Sequence, residues 1–518
     1  MAMVTSRREV LAGATSLALT IRPQIGLAEA TSRRNLTIAV QELRPVLEPA
    51  DPASIAAVAW RIQHSIFEQP LRTDYLDGFQ LRPSLAERVE QLDDTRYRLT
   101  LRRGVKFHDG REMTADDVVL SLGPERLLGK EAPGHLTQTS LLPTLAAVEK
   151  IDDMTALLSL SRTDPVFMKR LGGWGAQIIS SDAWRKAGSY KEWSKAPVGT
   201  GPYRIAEVRF DDQIVLRAHD EYWAGRPPYA SLRFKLVREL AARVAGLLAG
   251  EYDIITDVAP DQMAEIEARS DLAVVSADPV ILRVVEFDVR NNPLLADVNL
   301  RRAMSLAIDR KALVDSLWGG RVTIPNGNQL PIYGALYDAS RPAPSYDPVK
   351  ARELLARSTY RGETIPFATV GNYYTLELAE TQALVEMWNA VGLNVAIQIR
   401  ENWSQVYEVH GLGNDSVGLF YADPVSTLWR VWGEGGWIQA SRKTWSNDEF
   451  NRLGRILGSS SDPDARKRAF QRMLDIFEWD DPPAMMLHTH AYIYGKRTDL
   501  DWRPNPIPQM DFGPSRMT

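Results

Sequence analysis

Leu36 to Val40 alternates apolar and small or polar positions, the period of a strand with one buried face. Tyr97 to Leu101 repeats it and is closed by the turn pair Asp109-Gly110. Thr114, with Asp117 three residues on, reads as a capping box that opens a helix through Leu122. Ala241 to Ala249 is helical and stops at Gly250. Val280 to Phe287 is an apolar strand, and Leu300 to Leu317 carries apolar residues at helical spacing, which predicts one long helix. Further helices are predicted over Pro348–Ala356, Leu376–Val391 (ended by Gly392) and Ala465–Phe477. Strands and helices mixed in this order indicate an α/β or mixed α+β fold. No short internal repeat runs through them.

The first thirty residues follow a different rule. Ser6-Arg7-Arg8-Glu9-Val10-Leu11 precedes a weakly apolar stretch to Ile21, and Ala28-Glu29-Ala30 follows. This is the charged, apolar and A-x-A order of a secretory signal peptide. The arginine pair in an S-R-R-x-x-L frame fits a twin-arginine signal, with an ordinary Sec signal as the other route. A span of the bilayer takes about 20 apolar residues, and the stretch is shorter. The mature protein is therefore expected to begin near Thr31, in the periplasm, without membrane insertion.

Length and composition narrow the chemistry. A chain of 518 residues exceeds one ordinary core, so two or three lobes are expected. The net charge of −5 is mixed along the chain, with no basic stripe for nucleic acid. The absence of cysteine removes disulfides, thiolate metal sites, cysteine nucleophiles and a lipoprotein anchor. The 14 tryptophans serve either as core or as flat walls for a ligand.

Three loops carry the rest. Pro197-Val198-Gly199-Thr200-Gly201-Pro202-Tyr203 holds too many breakers for a helix or central strand. Asn291-Asn292-Pro293 ends a strand, and Pro504, Pro506 and Pro508 keep the C-terminal segment extended.

Taken in order, several blocks resemble family 5 of the ABC-transporter solute-binding proteins, the oligopeptide, dipeptide, nickel and opine binders. They are Leu101-Arg102-Arg103-Gly104-Val105-Lys106-Phe107-His108-Asp109-Gly110 with Thr114-Ala115-Asp116-Asp117-Val118, then Gly199-Thr200-Gly201-Pro202-Tyr203 and Tyr222-Trp223-Ala224-Gly225-Arg226-Pro227. Gly250-Glu251-Tyr252-Asp253-Ile254, Arg301-Arg302-Ala303 with Ala307-Ile308-Asp309-Arg310, and Tyr346-Asp347-Pro348 follow. The resemblance implies a two-lobed periplasmic binding protein of the large cluster-C type that closes on ligand like a hinge. One lobe would hold 31–278 plus 487–518, with a subdomain inserted at about 56–180. The other would hold 279–486, with Val280–Phe287 as a crossing strand. The partners implied are a small polar solute and ABC permease subunits. A monomer is expected, with no cofactor and no catalytic residue.

Two departures from the family bear on the solute. Peptide-binding members show W-x-x-D-Y-x-D/E-P, whose first Asp takes the peptide amine. The matching stretch here, Leu419-Phe420-Tyr421-Ala422-Asp423-Pro424, is shorter, so Asp423 can fill one acidic position but not both. Dipeptide binders can carry a carboxylate-binding Arg where this chain has Gly371-Asn372-Tyr373-Tyr374. These losses favour a hydroxyl-rich solute, neutral or acidic (an opine, sugar conjugate or oligosaccharide), over an ordinary peptide. The expected ligand contacts are Trp174, Arg283, Asn372, Tyr373, Trp403, Tyr421 and Asp423. For Trp174, in Gly172-Gly173-Trp174-Gly175, a plain turn is the alternative. Trp403 begins a helical segment capped by Ser404, facing either cleft or core. Trp429 and Trp432 would share a helix face, as core packing for at least one. Arg283, inside an apolar strand, meets either a ligand anion or a buried acid such as Glu286 or Asp288.

Rival chemistries find little support. His488 and His490 share a face on a strand, but two histidines without a third ligand make a poor metal site, and no metal residue is assigned. Gly123 to Lys130 approaches a P-loop, yet five residues rather than four separate its glycines and Glu131 replaces Ser/Thr. No nucleophile elbow or H-E-x-x-H occurs. A binding protein, not an enzyme, is the expectation. N-terminal sequencing of the periplasmic protein should begin at or within a few residues of Thr31. Replacing Arg7 and Arg8 by Lys should block export by the twin-arginine route and leave Sec export intact.

Overall fold

Two large sheets are built from one chain that crosses between them twice. In the computed structural model, residues 33–54 and 56–514 are described, so the signal-peptide arginines and the A-x-A site lie outside them. The larger sheet has seven strands, in the order Leu272–Ser276, Ile493–Arg497, Ile254–Thr256, Asn35–Val40, Ser231–Leu236, Gln213–Ala218, Tyr203–Arg209. Asn35–Val40 runs parallel to both its neighbours, and the other pairs are antiparallel. The second sheet has five strands, in the order Asn394–Ile399, Thr364–Thr369, Leu412–Val417, Ile281–Phe287, Ala484–His490.

Ile281–Phe287 and Ala484–His490 are the crossing strands. Each follows or precedes a strand of the large sheet with only residues 277–280 or 491–492 between. They pair antiparallel, Ile281 opposite His490, and every residue in both is buried. Ala484–His490 ends its sheet, an exposed template in most proteins. Here Thr489 N–H donates to Thr323 O at 2.8 Å and Thr323 N–H to Thr489 Oγ1 at 2.9 Å, so a neighbouring segment covers the edge.

A four-stranded antiparallel sheet, Ala86–Gln91, Arg96–Leu101, Thr155–Leu160 and Leu145–Asp152, encloses a core of its own. The helix Ala115–Leu122 packs on it and opens with the expected capping box: Thr114 N–H donates to Asp117 Oδ2 at 2.8 Å. The Arg-Gly-Val-Lys-Phe-His-Asp-Gly turn and the Gly-Thr-Gly-Pro-Tyr loop form one joint. His108 N–H donates to Gly199 O at 3.0 Å, and Gly201 N–H to Ile66 O at 2.9 Å. A Cβ at Gly199 would stand 2.1 Å from Ile66 O, so backbone passes backbone too closely for any side chain.

The helix predicted over Leu300–Leu317 is two helices, Val298–Leu306 and Arg310–Trp318. Asp309 breaks it, because its carboxylate accepts from Ala312 N–H and caps the second helix. The apolar spacing continues through the break because both helices pack toward one core. Gly199→Ala should lower stability by about 3 kcal/mol, measured by urea unfolding, whereas Gly188→Ala, with no atom within 4 Å of the added Cβ, should cost about 1 kcal/mol for its positive φ.

Candidate functional site

Glu377 sets the loop that faces the large sheet. It opens the helix Glu377–Asn389 and is buried, where the helix N-terminus favours a carboxylate. One oxygen accepts from Thr369 Oγ1, and the other accepts Tyr373 N–H at 2.8 Å and Tyr374 N–H at 3.2 Å. Leu376 takes the left-handed φ of 61° that brings the chain into the helix. The result displays two tyrosine rings from a clamped backbone.

Those rings belong to a continuous aromatic wall. Ring centroids step from Tyr492 to His490 (5.0 Å), Tyr374 (5.8 Å), Tyr373 (4.8 Å), Trp403 (5.3 Å), Tyr407 (5.9 Å) and Trp437 (5.4 Å). Trp60 and Phe420, 4.8 Å apart, line the same cleft, with Trp174 stacked behind Trp60 at 5.3 Å. The cleft holds about 550 Å³, within the usual span of small-molecule sites. An adjoining chamber of about 730 Å³ shares Gln41, Arg44, Asp257, Tyr373 and Trp403 with it. Residues 169–173 meet 420–422 beside the cleft. Lys169 Nζ donates to Ala422 O at 2.7 Å, and the Arg170 guanidinium lies 5.2 Å from the Tyr421 ring.

Two charges in the cleft have no ion-pair partner among the described residues. Asp415 accepts from Ser416 N–H at 2.7 Å, and Tyr374 OH lies 3.3 Å from it. Burial pushes its carboxyl upward. Arg430 donates from Nε to Ser426 O at 2.8 Å and lies over the Phe420 ring at 4.4 Å, and it makes no direct ion pair among the described residues. Burial brings it down to about 10. Glu286, on the same sheet face as Asp415, is held by Arg442 at 2.7 Å, and burial and then Asp415 push it upward.

Residues 80–439 match the model of the bacterial extracellular solute-binding proteins, family 5 (middle). The chain belongs to that family. It is 29% identical over 403 residues to heme-binding protein A of Haemophilus influenzae, covering 74% of this chain and 69% of that protein. A dipeptide-binding protein from Pseudoalteromonas, solved with Met-Leu, superposes with a TM-score of 0.82 at 18% identity, over 92% of this chain and 99% of that one. AgaA from A. tumefaciens R10, solved with agropinic acid, gives 0.78 at 19% identity, over 91% and 95%. These similarities show the two-lobed periplasmic binding fold. The family is a solute-binding, non-enzymatic part of ABC transport, and its members are extracellular. No described helix is long and apolar enough to cross a membrane.

In this family 5 protein the expected contacts divide. Tyr373 and Trp403 line the cleft, and Asn372 lines the adjoining chamber. Trp174, Arg283, Tyr421 and Asp423 do not line it. Asp423 caps the turn at Val425 and receives Arg466 Nη2 at 2.8 and 2.9 Å, so its carboxylate is fully engaged. Tyr421 is buried under Arg170. The cap of the helix Trp403–Tyr407 is Asn402, which accepts from Gln405 N–H, and not Ser404. Trp432 is core, 4.7 Å from Phe477, and Trp429 packs over Gly454. His488 is hydrogen-bonded to Glu380, and no metal-binding cluster of His, Cys, Asp or Glu occurs among the described residues.

Arg283 meets Glu380, not Glu286 or Asp288. Its Nη2 donates to Glu380 Oε1 at 3.1 Å and to Asn414 Oδ1, its Nη1 to Asp415 O at 2.9 Å, and Tyr374 covers it at 3.6 Å. A crossing strand thus supports the aromatic wall from beneath. Trp60, Arg61, Asp257, Asp415, Arg430 and His490 were not anticipated. The available signals were a lone charge within or just after an apolar run, Trp60-Arg61-Ile62 and Ile254-Ile255-Thr256-Asp257.

Burial alone would raise Glu380, but Arg283 and His488 hold it down at about 2, against an ordinary 4.5. A depressed carboxyl contributes stability above pH 4.5 that is lost as pH falls toward 2. Glu380→Gln should therefore be less stable than wild type at neutral pH by on the order of 3 kcal/mol. Denaturant titrations across the acid range should show that gap closing as pH falls from 4.5 toward 2.

Proposed function

We propose that this family 5 protein captures a small zwitterionic solute for an ABC importer, a short peptide or an opine-type conjugate with a flat or apolar group. One observation carries the reading: Asp415 and Arg430 line one cleft as opposite charges, and neither has an ion-pair partner. An ammonium beside Asp415 and a carboxylate on Arg430 would each gain a charge-assisted hydrogen bond. The aromatic wall would receive the apolar part. Tyr373 and Trp403 would contact the solute, and Asn372 would reach the part that extends into the adjoining chamber. Trp174, Arg283, Tyr421 and Asp423 would act behind the surface.

This narrows the expectation drawn from the motif departures. The amine and carboxylate partners missing at Asp423 and Gly371–Tyr374 have substitutes on other elements, which restores the peptide and retains the opine. A neutral oligosaccharide would leave both charges unanswered in a closing cleft, at a cost. A fold neighbour solved with the dipeptide Met-Leu is consistent with a zwitterion. We also place the lobe boundaries at residues 277–280 and 491–492, which assigns Ala484–His490 to the second lobe.

Calorimetry with di- and tripeptides and a maltooligosaccharide tests the reading. Zwitterions should bind, and Asp415→Asn and Arg430→Gln should each weaken binding by about 1.5–3 kcal/mol. Tight oligosaccharide binding that ignores both substitutions would overturn it.

A further inference from the structure

Among the buried polar atoms of the described residues that have no hydrogen-bond partner are Arg61 Nε, Asp257 Oδ2, Trp60 Nε1 and His490 Nδ1, near the crossing strands. All four residues line the cleft. Such atoms are rare in folded proteins, and each calls for an explanation. Here they come from three separate elements. Trp60 and Arg61 lie on the helix Ala57–Gln63, Asp257 follows the strand Ile254–Thr256, and His490 ends a crossing strand.

The Arg61–Asp257 pair shows why two of them stay open. Arg61 Nη2 donates to Asp257 Oδ1 at 2.6 Å, while Nη1 is taken by Gln41 Oε1 at 2.7 Å and Thr256 Oγ1 at 3.2 Å. A two-pronged pair would also join Arg61 Nε to Asp257 Oδ2. That second bond is not made, so one ion pair leaves both a donor and an acceptor without a partner. Asp257 is held at a φ of 57°, left-handed for a residue with a side chain, the kind of strain that collects at binding sites.

We propose that Arg61, Asp257, Trp60 and His490 form a recognition site at the crossing-strand end of the cleft that takes a neutral primary carboxamide. The inference rests on the reading that the cleft encloses a solute, and it adds what one part of that solute must be. A primary amide presents N–H and C=O along one edge, the complement of Asp257 Oδ2 and Arg61 Nε. A carboxylate would meet Asp257, and an ammonium would meet Arg61. A trans peptide bond points its N–H and C=O to opposite sides. Trp60 Nε1 supplies a further donor to the carbonyl. His490 is neutral, since burial holds its ring at about 3, so Nδ1 can serve without bringing a charge. The four atoms are buried and unbonded, and a bound amide would remove that penalty.

The test uses propionamide on the mature protein, with the tryptophan indoles labelled with nitrogen-15. The Trp60 indole resonance is assigned by its loss in Trp60→Phe. Millimolar propionamide should shift that resonance saturably, and propionate and N-methylacetamide should not. Asp257→Asn should bind propionamide about tenfold more weakly. Should Asp257→Asn fail to fold, saturation transfer from Trp60→Phe to the propionamide methyl group should show the same loss. No shift, an equal shift with propionate or N-methylacetamide, or unchanged affinity in a folded variant overturns the proposal. Propionamide carries no charge, so failure of the zwitterions to bind leaves this result standing, and failure of propionamide leaves the zwitterion reading standing.

Discussion

A guanidinium taken out of water must be paired, and the second sheet is organised around that requirement at Arg283. Its partners come from several of the elements that form this half of the cleft. Glu380 belongs to the helix behind the loop, and Asn414 and the Asp415 carbonyl to the neighbouring strand. His488, on the other crossing strand, closes the network through Glu380 at 2.7 Å. Tyr374 covers the charge and turns its other face toward the cleft. The polar network fixes where the helix, loop and strands sit, and the aromatic wall inherits its position from them.

The charges at the surface of the cleft follow the opposite rule. Asp415 and Arg430 are partly buried yet make no direct ion pair among the described residues, which costs free energy unless something else supplies it. The second sheet therefore holds a satisfied charge network at Arg283, while Asp415 on its opposite face and Arg430 on the nearby helix Leu428–Trp432 remain without a direct partner. That contrast distinguishes charges that support the fold from charges that await a partner. Burial alone would not have separated them.

Much of the fold was legible in the sequence because it depends on local signals. The capping box at Thr114 and Asp117, the stop at Gly250 and the apolar run of Ile281–Phe287 each act within a few residues. The break at Asp309 was missed because apolar spacing hides a cap when both helices share a core. The cleft was less legible. Asp423 looked like a ligand group in its motif, but its partner Arg466 lies forty-three residues away, in a helix with no visible relation to it. Likewise Arg283 was set beside the acids nearest in sequence, whereas Glu380 reaches it only through the tertiary fold. Charge pairing across the sheet is decided by register, and register was not available from one strand at a time.

The placement of Ile493–Arg497 has a consequence for synthesis. This strand lies inside the large sheet, between Leu272–Ser276 and Ile254–Thr256, both of which leave the ribosome much earlier. Until it arrives, those two strands lack the neighbour that joins them, and Ile255 and Val274 both lack Gly495 opposite. The growing polypeptide therefore cannot complete its larger half until residues 493–497 have emerged. Until then it waits with two unpaired strand edges open to chaperones.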